Sequence, residues 1–375
     1  MENMAIDRKF DSRVLTELQS AFEERSKLFD QEGSFVHENY GDLKKHRFFS
    51  ACIPEDLGGG GVSHSAMCQM INKIAQSCGS TALAFSMHQH LIAAAQWKFK
   101  HKGVGVEMLS KVANNELILI STGAGDWLGS SGVLTKTEGG YLFNGKKHFA
   151  SQSVAGNVIV TSAQFKKADK SWDVLHFSVP MKNEGIHIIE NWNVMGMRAS
   201  GSHTIEFNDV FIPESSISLV RPKDEFHMIW DVVLTVALPL IMSTYVGVAE
   251  KAMRLALSFT KNKGKGKETL PAMVGKMNNA LLSATTQWKA LIALANDLDF
   301  KPSEQTTVQA LSFKTNISKE TKEVVSMAME IVGGQSFFKT NELERLFRDV
   351  QASEFHPLPT WQQYEFTGKR LLKNE

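Results

Sequence analysis

The most constraining feature of this chain is a change of period along its 375 residues. Up to about residue 116 the apolar side chains recur at helical spacing, as in Val14, Leu15, Leu18 and Phe22, then Leu28 and Phe29, with Glu and Lys between them. From Leu117 short apolar runs alternate with turns: Leu117–Ile120, Val133–Thr137, Tyr141–Phe143, Val158–Ser162, Val174–Val179, Ile186–Ile189 and His203–Phe207. Glu138-Gly139-Gly140 between two of these runs is a hairpin signal. Strands this short, with no helical stretch between them, predict a small antiparallel barrel or sandwich. After Pro222 the helical period returns and lasts to the end, interrupted at Lys261–Lys267 and Asp299–Glu304. The expected architecture is therefore α+β and multidomain: an N-terminal helical domain over 1–116, a middle β domain over 117–222, and a C-terminal helical bundle over 223–375.

Several classes of function are disfavoured before any motif is considered. The formal charge of +1 gives no long-range field towards nucleic acid or anionic membrane. The three cysteines, Cys52, Cys68 and Cys78, follow neither a metal-ligand spacing nor an even disulfide set, which fits a reducing compartment. The charged start, Met1–Phe10, has no apolar signal core, so a cytoplasmic location is expected. Val232–Ala249 is nearly long and apolar enough to span a bilayer. It also carries Thr235, Pro239, Ser243, Thr244 and Gly247, and reads as a helix buried among other helices.

Four blocks, in order, resemble acyl-CoA dehydrogenases and their relatives. They are Ile53-Pro54-Glu55-Asp56-Leu57-Gly58-Gly59; Tyr141–Lys147 followed by His148-Phe149-Ala150-Ser151; Met195-Gly196-Met197-Arg198-Ala199-Ser200-Gly201-Ser202 leading to Pro213; and Gly333-Gly334 followed by Leu346-Phe347-Arg348-Asp349. The resemblance implies FAD, with FMN or a diffusible reduced flavin as alternatives. It places Ser121, Thr122, Phe149 and Ser151 along the flavin ring, with Ser151 offering a hydroxyl near N5 and Phe149 an aromatic wall. Gly333 and Gly334 would let backbone approach the adenylate or pyrophosphate end, or simply cap a helix. No metal site is expected. Arg198 reads equally as a substrate or subunit contact and as a structural ion pair. His88 and His90, two apart on a helix, face different ways and read as packed or surface histidines.

The sequence departs from the family where the chemistry is done. Neither of the two places where acyl-CoA dehydrogenases carry their glutamate base has one: Ala237 stands at the first, and Phe355-His356-Pro357-Leu358 spans the second. His356 and, two residues back, Glu354 become the candidate catalytic groups, since a neutral imidazole is a competent base near pH 7. The family's arginine–x–x–phenylalanine–glycine segment is replaced by Lys261–Lys267, and Glu330 stands where a glutamine usually precedes the glycine pair. A histidine after Arg-Asp also resembles the two-component flavin monooxygenases of the same superfamily, which take reduced flavin from a reductase.

Two activities follow as expectations. One is oxidation of the Cα–Cβ bond of an acyl-CoA in fatty acid metabolism, with electron-transfer flavoprotein as acceptor. The other is oxygenation of a hydrophobic substrate using reduced flavin from a reductase. Breadth of similarity leans to the dehydrogenase. A homodimer or homotetramer is expected, because the family completes each flavin site with a neighbouring chain and the Val232–Ala249 helix is too apolar to be left exposed.

Overall fold

A computed structural model describes residues 11–122, 128–263 and 269–372. Five helices come first: α1 (Val14–Glu32), α2 (His37–Lys45), α3 (His64–Ala75), α4 (Gly79–Lys102) and α5 (Val106–Asn115). Local chemistry sets their ends. Ser63 caps α3 by accepting the Ala66 amide at 3.2 Å, and Gly33 and Gly103 close α1 and α4 in the left-handed conformation.

Eight strands follow: β1 (Leu119–Ser121), β2 (Val133–Thr137), β3 (Gly140–Ala150), β4 (Val158–Lys166), β5 (Trp172–Pro180), β6 (Ile186–Ile189), β7 (His203–Pro213) and β8 (Ile217–Pro222). They form one sheet in the order β6-β7-β3-β2-β4-β5-β8, with β1 also on β4. The β2–β3 hairpin turns at Glu138-Gly139, where Gly139 has φ 71°. A wholly antiparallel sheet was expected, and here the structure differs: β1 and β2 both run parallel to β4, so the sheet is mixed. The reason lies in the connections. β1 leads into residues 123–132 and β2 into β3 before the chain returns as β4, so both reach β4 by crossovers rather than by hairpins.

The last helices are α6 (Ile229–Lys263), α7 (Leu270–Ala295), α8 (Glu304–Val332), α9 (Glu342–Gln351) and α10 (Thr360–Leu371). A single hydrophobic core runs through helices from both ends of the chain, while the sheet has its own core around Phe143, Phe177 and Phe207. At the centre of the helical core lies α6. It is the one helix among the described residues long and apolar enough to cross a membrane, and 94% of its most apolar window is buried inside this chain. At Gly247 it presses on α3 so closely that an added Cβ would fall on the Asn72 carbonyl. The apolar run is therefore satisfied within one chain, and it supplies no reason for oligomerisation.

Candidate active site

The site grows from a joint between the sheet and the last helices. At the end of β3 the chain turns through Phe149, at φ 57°, and Gln152, at φ 58°. This turn is pinned from three sides. Gln152 N–H donates to Ser200 O at 2.9 Å, Tyr40 O–H donates to the Gln152 Oε1 at 2.6 Å, and Gln152 Nε2 donates to Leu119 O at 2.7 Å. Phe149 is thereby held out of the sheet core and stands 59% exposed, edge-on to Trp192 at 6.2 Å between ring centroids. A phenylalanine fixed in left-handed backbone and left exposed is not a core residue; its face is free for a planar ligand.

Beside it, Ser151 Oγ lies 2.8 Å from Ser202 Oγ, which lies 2.8 Å from Ser200 Oγ. Three hydroxyls in a row can pass their protons in one direction. When they run towards Ser151, its proton is left for an acceptor beyond the chain. Thr122 Oγ1 bonds to Thr161 Oγ1 at 2.7 Å, and Ser121 lies in the last position of β1. Ser200 and Ser202 carry this arrangement as much as Ser151 does. Their signal in the sequence was the Ser-Gly-Ser spacing at 200–202.

The Met195–Ser202 block is locked to α9. Met197 N–H donates to the buried Asp349 carboxylate at 2.5 Å, and a Cβ on Gly196 would fall on the Arg348 carbonyl. Burial pushes Asp349 up to about 6. Arg348 pairs with Asp30 at 2.6 Å and Glu344 at 2.7 Å. Arg198 donates to the carbonyls of Asp30, at 2.7 Å, and Val194, at 3.0 Å, so it is a backbone staple. The second and third sequence blocks thus meet at the turn, and the third and fourth meet at Asp349.

Beyond Asp349, a short 3-10 turn over Ala352–Phe355 delivers His356 to α6. His356 Nε2 lies 2.5 Å from the hydroxyl of Tyr245, which is wholly buried. Burial, with Lys314 as a nearby like charge, lowers His356 to about 3, and burial raises the Tyr245 phenol well above its usual range. At neutral pH the pair is an uncharged imidazole bonded to a protonated phenol. Glu354 points elsewhere: its carboxylate is bonded to Lys322, which lowers its pKa, and it receives a 3.5 Å contact from Thr360. His356 and Glu354, two apart in sequence, are not brought together as a pair. Tyr245 was missed, although it is the only phenol in the apolar run 232–249. Ala237, on the same helix, is buried.

At the far end of α8, Gly333 has φ 75°, and nothing stands within 4 Å of an added Cβ on Gly333 or Gly334. This open backbone borders a cavity of about 590 Å³ lined by Met329, Glu330, Phe337, Glu344, Phe347 and Arg348. Most of the Lys261–Lys267 run lies outside the described residues. No cluster of metal-ligating side chains occurs among the described residues. His88 is a core joint: its Nδ1 accepts from Leu119 N–H at 3.0 Å and its Nε2–H donates to Phe49 O at 2.8 Å. His90 is buried with it.

These residues fit a flavin. The exposed, conformationally fixed Phe149 offers a face, the Ser200–Ser202–Ser151 hydroxyls offer a donor to a ring acceptor, and the bare backbone at Gly333-Gly334 leaves room for a bulkier group.

Comparison with known proteins agrees. Three family models match: the acyl-CoA dehydrogenase N-terminal domain over residues 7–116, middle domain over 124–210 and C-terminal domain over 232–356. Amino sugar nitrososynthase DnmZ of Streptomyces peucetius is 27% identical over 365 residues, covering 92% of this chain and 87% of that protein. YdbM of Bacillus subtilis (strain 168), which carries an acyl-CoA dehydrogenase name, is 27% identical, covering 90% of each. Among solved structures, KijD3 in complex with FMN and a dTDP-linked amino sugar superposes with a TM-score of 0.87 at 24% identity, covering 99% of this chain and 95% of that one. FMN-bound TdsC from Paenibacillus sp. A11-2 superposes with a TM-score of 0.85 at 17% identity over 97% of each. The chain belongs to the acyl-CoA dehydrogenase family and is a flavin-dependent oxidoreductase.

Proposed function

We propose that this chain is a two-component flavin monooxygenase that oxygenates a nitrogen or sulfur atom of a small molecule, with reduced flavin supplied by a separate reductase. The observation that carries the reading is the neutral His356–Tyr245 pair beside Pro357, which stands where a dehydrogenase of this family carries a carboxylate. Removing an α-proton from an acyl-CoA needs a free base, and a histidine lowered to about 3 is a poor one. Glu354 is held as an ion pair by Lys322, and Ala237 has no titratable group.

When bound, reduced flavin would supply the two electrons this chemistry needs to reduce dioxygen, with one oxygen atom passing to the substrate and the other leaving as water. The residues of the chain bind and orient. Phe149 and Trp192 offer aromatic surface. Ser151, backed by Ser202 and Ser200, donates a hydrogen bond. When Tyr245 O–H donates to Nε2, the proton of the neutral His356 ring is on Nδ1, where it can donate to a negatively charged oxygen.

We read FMN in preference to FAD. Glu330 and Glu344 border the open backbone at Gly333, and the one cation among the lining residues, Arg348, is already engaged by Asp30 and Glu344, which disfavours a pyrophosphate there. The nitrososynthase name of DnmZ and the FMN in the KijD3 and TdsC structures support the same direction.

The second reading, an acyl-CoA dehydrogenase passing electrons to electron-transfer flavoprotein, is supported by the equal identity to YdbM. One pair of experiments separates them. Stopped-flow mixing of the protein with reduced FMN and oxygen is expected to give an oxidation trace slower than, and spectrally distinct from, that of free flavin. A panel of acyl-CoAs added without oxygen is expected to leave bound flavin unbleached. Saturable bleaching by any acyl-CoA would overturn the monooxygenase reading.

A further inference from the structure

His356 sits in a turn that has little core of its own, and one face of α8 holds that turn. Lys314, Ser318 and Lys322, at i, i+4 and i+8, form a rail along the helix. Lys314 Nζ donates to Glu354 O at 3.0 Å and to Leu358 O at 3.1 Å, Ser318 Oγ lies 2.7 Å from Ser353 Oγ, and Lys322 bonds the Glu354 carboxylate. Lys314 is wholly buried. A buried ammonium is costly unless its donors are met, and its recorded partners are the two carbonyls that bracket His356. An apolar residue of similar length would fill the same space at lower cost, so the charge and the bridge call for an explanation beyond packing.

We propose that Lys314 is a positioning residue for His356: its ammonium ties the Glu354 and Leu358 carbonyls together across the turn and so fixes the imidazole on Tyr245. The inference rests on the reading of His356 given above. The same ammonium is the cation nearest His356 in electrostatic effect, and it opposes protonation of the ring. The other groups around the ring, among the described residues, do not offset it. Tyr245 on α6 is a neutral phenol, Asp349 on α9 acts on Tyr245, and Glu354 in the same turn is spent on Lys322. Lys314 itself is lowered to about 8 by burial, so it is mostly charged at neutral pH and loses its proton in mild alkali.

The test is a titration of His356 by NMR on protein labelled in its histidine rings, with the signal assigned by its loss in His356→Gln. It is run on wild type, Lys314→Met and Lys314→Gln, with flavin affinity and melting temperature measured alongside. In wild type the ring is expected to stay neutral from pH 5 to 8. In Lys314→Met it is expected to titrate at higher pH than in wild type and to lose its single tautomer, while FMN affinity changes by less than about threefold. Lys314→Gln keeps amide donors for the two carbonyls without the charge, and serves if the Met variant does not fold. It is expected to keep the tautomer but titrate at higher pH than wild type. A wild-type His356 titration in both variants, with only a lower melting temperature, would make Lys314 a packing residue and overturn the proposal. If His356→Gln reacts with oxygen as wild type does while Lys314→Met still shifts the His356 titration, the functional reading fails and the positioning role stands.

Discussion

His356 is where the consequences of single atoms are largest. Its ring is neutral, partnered by Tyr245 and held by the turn that Lys314 bridges. Loss of one preorganised donor typically costs about 10²–10³-fold in rate. His356→Gln is therefore expected to shorten the protein-dependent phase of reduced-flavin oxidation by about that factor, with flavin occupancy unchanged. Glu354→Gln, which breaks only the link to Lys322, is expected to stay within about fivefold of wild type, since an ion pair this exposed is worth little. The reverse ranking in stopped flow would make Glu354 the reacting group. At this scale the sequence was legible where chemistry and order coincide: the absent glutamates and the histidine beside Pro357 could be read directly. Tyr245 and Lys314 could not. One lies 111 positions from its partner His356, and the other looks like any lysine on an amphipathic helix until its burial is known.

Between elements, the Gly196–Asp349 joint does the connecting. Gly196→Ala would place a methyl group against the Arg348 carbonyl, backbone on backbone, so neither side can swing away. Overpacking of this kind costs about 3 kcal/mol, to be read as a shift of the urea midpoint. Asp349 adds a pH signature. Its folded-state pKa, about 6, lies above the ordinary carboxylate value of 3.8. Its contribution to stability is therefore present at low pH and lost as pH rises through 6. Asp349→Asn is expected to gain on wild type in urea titrations between pH 5 and pH 8, and a constant difference would remove Asp349 as the titrating group. Helices and strands were legible because their periods differ, and the Ser63 cap and the Gly139 turn mark their ends. The parallel pairing of β1 and β2 with β4 was not legible, because strand direction follows from crossovers that leave no local mark.

Two properties belong to the molecule as a whole. The first is sensitivity to acid. Burial lowers His88 and His90 to about 4, from an ordinary value of 6.5. Both protonate in the unfolded chain before they do in the folded one, so stability is lost as pH falls from 6.5 towards 4, by up to about 1.4 kcal/mol per pH unit for each. Two histidines outweigh the opposite trend of Asp349. Melting temperature is expected to fall between pH 7 and pH 5, and a flat profile would contradict the neutral burial of this pair.

The second is an expectation of assembly, and its motive has moved. The apolar helix α6 is buried in its own chain, so it asks for no partner. Large aromatics are instead left open in the C-terminal third: Phe337 is 83% exposed just after Gly333-Gly334, and Trp361 is 81% exposed beside Tyr364. Aromatic side chains at such exposure are what subunit contacts cover. Light scattering at low micromolar concentration is expected to give a dimer or tetramer. Phe337→Glu combined with Trp361→Glu is expected to shift it to monomer without unfolding, because neither side chain supports the core. FMN affinity, measured on the same samples, then tells whether assembly also serves the flavin: a drop in the monomer places the partner chain near Gly333, and an unchanged affinity leaves each chain holding its flavin alone. A wild-type protein that stays a clean monomer with flavin bound contradicts the assembly itself.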